Sequence, residues 1–274
     1  MNIGIIGTGN MGTMLVEALI DGKAISPSSM MITNRTKSKA ILLKDKYNEI
    51  RVGANAEEVA AQSDLLFLCV KPLDIYKMLE MICPYLSPEK CLISITSPVS
   101  TSQIEKKVSC SIVRVIPSIT NRALAGVSLI TYGENCSDLW KTKVAKLISK
   151  ISVPVCIDEK ITRVASDIVS CGPAFFSYLL QSFIQAAVKE TEIDNKTATI
   201  FASEMIVGLG ALLKQGHYTL PSLQEKVSVK GGITGEGIKV LDNELGDVFE
   251  HIFQATHAKF KEDLDKVEIQ FSNQ

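Results

Sequence analysis

Three glycines near the start of the chain, Gly7, Gly9 and Gly12, have the spacing of a dinucleotide-binding turn. In such a turn the first glycine permits the bend, the second lets a pyrophosphate approach the backbone, and the third lets the following helix pack on the strand. The helix start would offer free amide hydrogens and a positive dipole end to the phosphates. The alternative is a turn needed only for packing. We expect cofactor contacts from Gly7, Gly9, Asn10, Met11 and Gly12.

The segment after the second predicted strand distinguishes the two nicotinamide cofactors. NAD enzymes usually place an acidic residue there, which accepts a hydrogen bond from the ribose 2′-hydroxyl. This chain has Asn34, Arg35 and Thr36 instead, and a guanidinium with hydroxyls suits a 2′-phosphate. The sequence therefore predicts NADPH in preference to NADH. The alternative is that Arg35 and Lys37 only solvate a helix start.

A third candidate contact, Val70-Lys71-Pro72, follows the apolar run Leu65-Leu66-Phe67-Leu68. Ligands of open α/β sheets usually bind beyond the carboxyl ends of the strands, where this segment would lie. We therefore expect Val70, Lys71 and Pro72 beside the cofactor. The alternative, which position alone does not exclude, is that Lys71 faces solvent and that Pro72 only sets the turn.

The elements that must position these residues alternate between strand and helix through residue 160, which predicts βαβ units and a doubly wound, mostly parallel Rossmann sheet. Predicted strands are Asn2–Ile6, Met30–Thr33, Asp64–Val70, Cys91–Thr96, Ser111–Ile116, Val127–Tyr132 and Val153–Ile157, and predicted helices include Asn10–Asp21 and Ser137–Ser149. Residues 1–160 are therefore predicted to form a dinucleotide-binding domain.

Residues 161–274 lack strand patterns, and helical apolar spacing predicts an all-helical second domain. Two segments, Pro173–Thr191 and Ala198–Leu213, are apolar on most faces, which is typical of helices buried against other helices or a second subunit. The stretch from Gln215 to Glu236 is the one long break expected in this half, as a connector or a site.

Composition excludes several classes of partner. A net charge of −1, from 29 basic and 30 acidic residues, gives no overall field for nucleic acid or an anionic membrane. Polar residues interrupt the apolar stretch Ala174–Val188, which argues against a membrane span. Seven cysteines without a CxxC pair indicate thiols in a reducing cytoplasm, and the three histidines lack metal-ligand spacing. We expect a cytoplasmic protein without a metal site.

From end to end the chain resembles pyrroline-5-carboxylate reductase. The segments that carry the resemblance are the glycine turn, Asn34-Arg35-Thr36, Val70-Lys71-Pro72, Arg114-Val115-Ile116-Pro117, Cys171-Gly172-Pro173-Ala174-Phe175 and Val229-Lys230-Gly231-Gly232-Ile233-Thr234. The resemblance implies a Rossmann domain, a C-terminal helical domain that interlocks with a partner's to form a homodimer or larger homo-oligomer, and an active site shared between subunits. It also implies NAD(P)H-dependent reduction of 1-pyrroline-5-carboxylate to L-proline.

Part of the chain departs from the family pattern. The family loop resembles Ser-Pro-Gly-Gly-Thr-Thr, whereas Val229, Lys230 and Ile233 replace its Ser, Pro and first Thr here. The segment after Pro117 also differs, with Ser118 and Ile119. These departures are similar to those of the divergent ComER-like subgroup, which is encoded beside late-competence genes of spore-forming bacteria.

Imine reduction needs a hydride donor, a hydrogen bond to the ring nitrogen and an anchor for the carboxylate of an imino acid substrate. Thr234 matches the family motif, and the resemblance implies that its hydroxyl donates a hydrogen bond to the ring nitrogen. Amide hydrogens of Gly231, Gly232 and Ile233 could bind the carboxylate, and Lys230 adds a positive charge. The alternative is a flexible connector with a solvated lysine.

Two further residues near these motifs have structural interpretations. Glu236 is expected to complement a helix dipole, and Cys171 is expected to be a packed thiol.

Three functions remain open at this stage. The first is a cytoplasmic NADPH-dependent reductase of pyrroline-5-carboxylate. The second is a regulatory protein that keeps the cofactor fold and binds NADP(H) but has lost proline-forming activity. The third is a β-hydroxyacid dehydrogenase or another two-domain reductase, which ranks last because Lys189 lacks the glycine-rich surroundings expected of a catalytic lysine there.

Overall fold

The structure is a computed structural model that describes residues 1–272. Its first part is an eight-stranded sheet. The strands are β1 (Ile3–Ile6), β2 (Met30–Thr33), β3 (Arg51–Val52), β4 (Leu65–Leu68), β5 (Cys91–Ser94), β6 (Ser111–Ile116), β7 (Val127–Tyr132) and β8 (Val153–Cys156). Seven of them match predicted strands, whereas β3 was missed because two residues are too short to show an alternating pattern.

The strand order is β3-β2-β1-β4-β5-β6-β7-β8, and only β6 and β7 pair antiparallel. The chain therefore runs outward from β1 in one direction and then from β4 in the other, so the order reverses between β1 and β4. In open α/β sheets the crevice at such a reversal is where ligands bind. The predicted doubly wound, mostly parallel sheet is confirmed.

Helices cover both faces of this sheet, so its strands are apolar on both faces. The helices are α1 (Asn10–Asp21), α2 (Lys37–Lys46), α3 (Ala56–Gln62), α4 (Pro72–Ile82), α5 (Thr101–Glu105), α6 (Asp138–Ile148) and α7 (Thr162–Ser166), followed by a π-helical turn at Asp167–Cys171. In β4, Leu65 and Phe67 join one apolar core, and Leu66 and Leu68 join the other. Each such buried side chain stabilises the sheet by about 2 kcal/mol.

The remaining chain is helical. Its helices are α8 (Gly172–Glu190), α9 (Asn195–Gln215), α10 (Leu220–Val227), α11 (Ile233–Glu244) and α12 (Val248–Ser272). Two compact units result: Ala174–Gln254 forms the helical unit, whereas Met1–Pro173 and the chain from Ala255 onward form the sheet unit. The domain boundary after residue 160 stays a prediction.

The expected break between Gln215 and Glu236 is wrong, because most of that stretch is helical. The Thr219 hydroxyl accepts a hydrogen bond from the Ser222 amide at 3.3 Å, and Pro221 lies in the first turn of α10. Both features start a helix, because a capping hydroxyl satisfies an unpaired amide and proline needs no amide donor there. The non-helical part before α11 is therefore confined to residues 228–232.

The helical unit presents an unusually apolar surface. Phe176 and Phe183 of α8 and Phe201 of α9 are each more than 60% exposed. Large apolar side chains exposed in this number on two helices are typical of an interaction site. Helix α9 is also the one described helix whose length and apolar composition would suffice to cross a membrane, with 11% of its most apolar window buried.

The end of α12 belongs to the sheet unit and packs on α4. Val267 is fully buried in the core beneath α4. The Gln270 side-chain amide donates to the Leu73 carbonyl at 3.1 Å, and the rings of Phe271 and Tyr76 meet edge to face at 5.1 Å. These contacts fix the last described turns of the chain beside the carboxyl ends of the strands.

Candidate functional site

The glycine turn has the backbone that the sequence predicts. Gly7 has a φ of 101°, a conformation that L side chains rarely adopt, and its amide donates to the Thr33 carbonyl at 2.8 Å. A Cβ on Gly12 would collide with the Gly7 carbonyl oxygen. A Cβ on Gly9 would meet nothing within 4 Å, so this glycine faces open space.

The start of α1 fits a bound pyrophosphate. Gly9 caps the helix, no side chain caps its first amides, and its first turn contains no acidic residue. The positive dipole end is therefore uncompensated within the described chain, as an anion site requires. The buried Thr8 hydroxyl also has no hydrogen-bond partner among the described residues, so this turn carries an unused polar group.

The Asn34 side chain ties the glycine turn to the loop after β2. Its oxygen accepts a hydrogen bond from the Thr8 amide at 3.0 Å, and its nitrogen donates to the Thr36 carbonyl at 3.0 Å. Both amide groups of the side chain are thus used within the protein. Asn34 therefore shapes the loop that carries Arg35.

A cavity of about 450 Å³ is lined by three of the predicted cofactor residues, Arg35, Lys71 and Pro72. We call it the Arg35 cavity, and it is lined by Arg35, Lys71, Pro72, Leu73, Asp74 and Asp263. Neither Arg35 nor Lys71 forms an ion pair within residues 1–272, so both charges are available to an anionic ligand. The tertiary structure thus brings together residues from the loops after β2 and β4, which are more than 30 positions apart in the chain.

A neighbouring cavity of about 570 Å³ shares Pro72 and Asp263 with the first. We call it the Arg163 cavity; it is lined by the loop after β5 (Ile95, Thr96, Ser97, Pro98), by Arg163, Asp167 and Cys171, and by Ala255, Thr256, Lys259 and Phe260 of α12. Buried Arg114 holds the loop after β5, since its guanidinium donates to the Ser97 carbonyl at 3.2 Å.

A polar network lies in the wall of the Arg163 cavity. The Asp167 carboxylate, whose residue is 1% exposed, accepts hydrogen bonds from Arg163 at 2.8 Å and from the Thr256 hydroxyl at 2.9 Å. The Arg163 guanidinium lies over the Phe260 ring at 5.3 Å from its centroid. The carboxylate and these two donors therefore fix the π-helical turn against α12.

Cys171 behaves as the packed thiol that the sequence predicts. Its sulfur accepts a hydrogen bond from Arg163 at 3.4 Å, but burial outweighs this positive charge and raises the thiol pKa. A thiol in that state is a poor nucleophile at neutral pH. All seven cysteines are free, and Cys83 and Cys156 are exposed.

The predicted substrate residues lie in the helical unit, around the start of α11. Thr234 is exposed in the first turn of this helix, and Lys230 and Gly231 are exposed just before it. Gly231 has a φ of 75°, which requires glycine. The Gly232 amide donates to the Val229 carbonyl at 2.9 Å, so it is not free for a carboxylate, contrary to the expectation for this residue.

Glu236 has the structural role that was expected. It lies in the first turn of α11, where its charge complements the helix dipole, and it pairs with Lys239 at 2.7 Å.

Sequence reasoning missed the functional potential of Arg163, Asp167, Thr256 and Asp263. Arg163 and Asp167 are four residues apart, a spacing that usually indicates an ordinary surface ion pair on a helix. The burial of Arg163 and Asp167 depends on contacts with α12. Thr256 of that helix, which binds Asp167, lies 89 positions further along the chain. No local pattern carries that information.

Comparison with known families matches most of the chain in two parts. Residues 159–263 match the family described as pyrroline-5-carboxylate reductase dimerisation. Residues 2–98 match the family described as NADP oxidoreductase coenzyme F420-dependent. Helix α9 lies inside the first match.

Two relatives from Bacillus subtilis (strain 168) span nearly the whole chain. ComE operon protein 4 is 55% identical over 271 residues, covering 99% of each chain. Pyrroline-5-carboxylate reductase 3 is 30% identical over 262 residues, covering 94% of this chain and 95% of the relative.

Solved structures share the complete fold. A pyrroline-5-carboxylate reductase from Coxiella burnetii has a TM-score of 0.85 at 25% identity, covering 96% of this chain and 98% of that one. Pyrroline carboxylate reductase from Plasmodium falciparum, solved with NADP bound, has a TM-score of 0.83 at 24% identity, covering 97% and 98%. With relatives this similar over nearly their full length, the chain belongs to the pyrroline-5-carboxylate reductase family, in the branch that includes ComE operon protein 4.

Proposed function

We propose that this protein is an NADPH-dependent reductase of a cyclic imino acid, with 1-pyrroline-5-carboxylate as substrate and L-proline as product. The observation that carries the proposal is the convergence of the glycine turn with Arg35 and Lys71 at the carboxyl ends of the strands. Membership of the reductase family supplies the reaction class, and the structure supplies a site that fits a phosphorylated dinucleotide.

The geometry of the glycine turn and of the Arg35 cavity supports an assignment of the residues that hold the cofactor. The uncapped start of α1, with Gly9, Asn10, Met11 and Gly12, accepts the pyrophosphate, and Arg35 with Thr36 accepts the ribose 2′-phosphate. Val70, Lys71 and Pro72 border the ribose and phosphate groups. The NADP bound in the Plasmodium falciparum relative supports this choice of cofactor.

Bound NADPH supplies a hydride, so the protein's own work is to orient the imine and to manage its charge. The Thr234 hydroxyl donates a hydrogen bond to the ring nitrogen, which gains electron density as the C=N bond is reduced. The free amides of Gly231 and Ile233 and the Lys230 ammonium group bind the carboxylate. Gly232 contributes by capping α11 with an extended backbone.

A steady-state assay tests this proposal. Purified protein should oxidise NADPH when 1-pyrroline-5-carboxylate is added, and Thr234→Ala should lower kcat/KM by about 100-fold, as expected for the loss of a donor to developing charge. Thr142→Ala, which removes an exposed hydroxyl on α6, is the matched control and should leave the rate unchanged. Full activity in Thr234→Ala would contradict the role of this residue.

A second candidate function is a regulatory protein that binds NADP(H) without making proline. It is favoured by Val229, which is 67% exposed where the family loop has a serine, and by the 55% identity to ComE operon protein 4. Tight NADPH binding without turnover on 1-pyrroline-5-carboxylate would support it. The double variant Val229→Ser, Lys230→Pro then tests whether the family loop restores activity.

Family membership supports a proposal for the assembly, and composition supports one for the location. We expect a homodimer or larger homo-oligomer built through α8 and α9, because their exposed phenylalanines need a partner surface. The near-zero net charge and the reducing environment implied by seven free cysteines favour a cytoplasmic protein that binds neither nucleic acid nor membrane.

A further inference from the structure

Two acidic residues line the Arg35 cavity: Asp74, in the first turn of α4, and Asp263, which the tertiary structure brings there from α12. No carboxylate follows β2, where NAD enzymes usually carry one. Asp263 of α12, which is more than 200 positions from Arg35 in the chain, lines the Arg35 cavity together with Lys71. Two carboxylates and two cations thus border the same space.

The position of Asp263 is fixed by the turns that follow it. Val267, one helical turn later and on the same helix face, is fully buried against the core beneath α4. Gln270 and Phe271 then bind Leu73 and Tyr76 of α4. Because α12 is anchored on the helix that begins at the cavity, Asp263 stays at its wall.

The charges at this cavity do not neutralise one another. Asp263 pairs with Lys259 of its own helix at 2.8 Å, but within residues 1–272 it forms no ion pair with Arg35 or Lys71. The Asp263 carboxylate therefore lines the same space of about 450 Å³ as the two cations. An anionic group that enters this space is attracted by the two cations and repelled by the carboxylates.

We propose that Asp263 is a specificity-determining residue for the ribose of the adenosine half of the cofactor. This inference rests on the proposed function, which assigns the Arg35 cavity to that ribose. The Asp263 carboxylate accepts a hydrogen bond from a free 2′-hydroxyl and repels a 2′-phosphate, whereas Arg35 attracts the phosphate. Arg35 thus favours NADPH, and Asp263 moves the preference back toward NADH.

Cofactor binding without substrate tests this assignment. Dissociation constants for NADPH and NADH are measured by fluorescence titration of the full-length protein. Asp263→Asn should raise the preference for NADPH, taken as the Kd ratio, by about fivefold. The increase should shrink at high ionic strength, because salt screens a partly exposed charge.

Glu262→Gln is the matched control. Glu262 also pairs with Lys259, at 3.2 Å, but it does not line either cavity. The control therefore removes the same charge and a contact to the same lysine without changing the cavity wall. A Kd ratio unchanged in Asp263→Asn, or changed equally in Glu262→Gln, would overturn the proposal.

A second variant tests the anchor. Phe271→Ala removes the contact with Tyr76, frees the end of α12 and should shift the Kd ratio in the same direction as Asp263→Asn. Arg35→Ala separates this inference from the proposed function. If Arg35→Ala leaves NADPH binding unchanged while Asp263→Asn shifts the ratio, the role of Arg35 fails and that of Asp263 stands. If neither variant responds, the assignment of the cavity fails.

Discussion

The Asp167 carboxylate accepts a hydrogen bond from the Thr256 hydroxyl at 2.9 Å, although 89 positions separate the two residues. The same carboxylate binds Arg163, so one buried group joins the π-helical turn to α12. A π-helical turn is uncommon and is frequently found at functional sites. Here it places Asp167 and Cys171 in the wall of the Arg163 cavity.

Loss of this carboxylate should destabilise the sheet unit. Asp167→Ala leaves Arg163, whose side chain is 17% exposed, without its ionic partner, and we expect the free energy of unfolding to fall by about 3 kcal/mol. Urea titration followed by circular dichroism measures the change. Asp265→Ala removes an exposed carboxylate of α12 and should change stability little; equal losses in both variants would refute the network.

The glycine turn offers a test that separates folding from binding. Gly12→Ala places a methyl group against the Gly7 carbonyl and should lower the free energy of unfolding by at least about 2 kcal/mol. Gly9→Ala meets no protein atom within 4 Å, so the loss of stability should be limited to the poorer helix cap, about 1 kcal/mol. The Kd for NADPH should rise more than about tenfold, since the backbone can no longer approach the pyrophosphate. Wild-type affinity in Gly9→Ala would place the pyrophosphate elsewhere.

Alkaline pH should weaken the contact between α1 and the chain segment after α2. Burial, aided by a hydrogen bond to Asp21 at 2.9 Å, raises the pKa of Tyr47 to about 12. The folded state therefore holds this proton more tightly than the unfolded state, whose pKa is near 10. The contribution of the protonated Tyr47 hydroxyl to the free energy of unfolding is fully present below pH 10 and is lost as the pH rises toward 12.

Thermal unfolding at several pH values measures this effect. The stability difference between wild type and Tyr47→Phe should shrink between pH 10 and 12, because the variant has no proton to lose. Tyr85→Phe, at an exposed position, is the control. A constant difference across this range would exclude the proposed contribution of Tyr47.

The apolar helical unit should depend on a second copy of the chain. Phe201→Glu introduces a charge at a side chain that is 63% exposed, and we expect the oligomer to dissociate into smaller species. Sedimentation velocity measures the change, with Lys196→Glu on the same helix as a charge-reversing control. Oligomers of unchanged size in Phe201→Glu would place the interface on another face.

Much of the sheet unit could be predicted because its signals are local. The β2, β6 and β7 bounds agree with the predicted strands, and α1 begins and ends as predicted. Apolar runs of four to six residues that are buried on both faces leave few alternative structures. The position of Gly7 at positive φ follows equally from its place between a strand and a helix.

The helical unit was less predictable. Helix α10 depends on a capping hydroxyl that the apolar pattern does not reveal, and the Gly232 amide is bound by the Val229 carbonyl through a turn that no motif specifies. Strong capping at Thr219 overrides the weak apolar spacing of that stretch.

The sequence by itself determined the reductase family, through motifs that recur in order along the whole chain. It also determined the glycine turn and the candidate cofactor contacts of Arg35 and Lys71, since these depend on residue type and short spacing. Only the tertiary structure placed Asp263 at the wall of the Arg35 cavity and Asp167 between Arg163 and Thr256. The physical reason is that both carboxylates act across contacts of long sequence separation. Such contacts form only when the end of α12 is buried against the sheet unit.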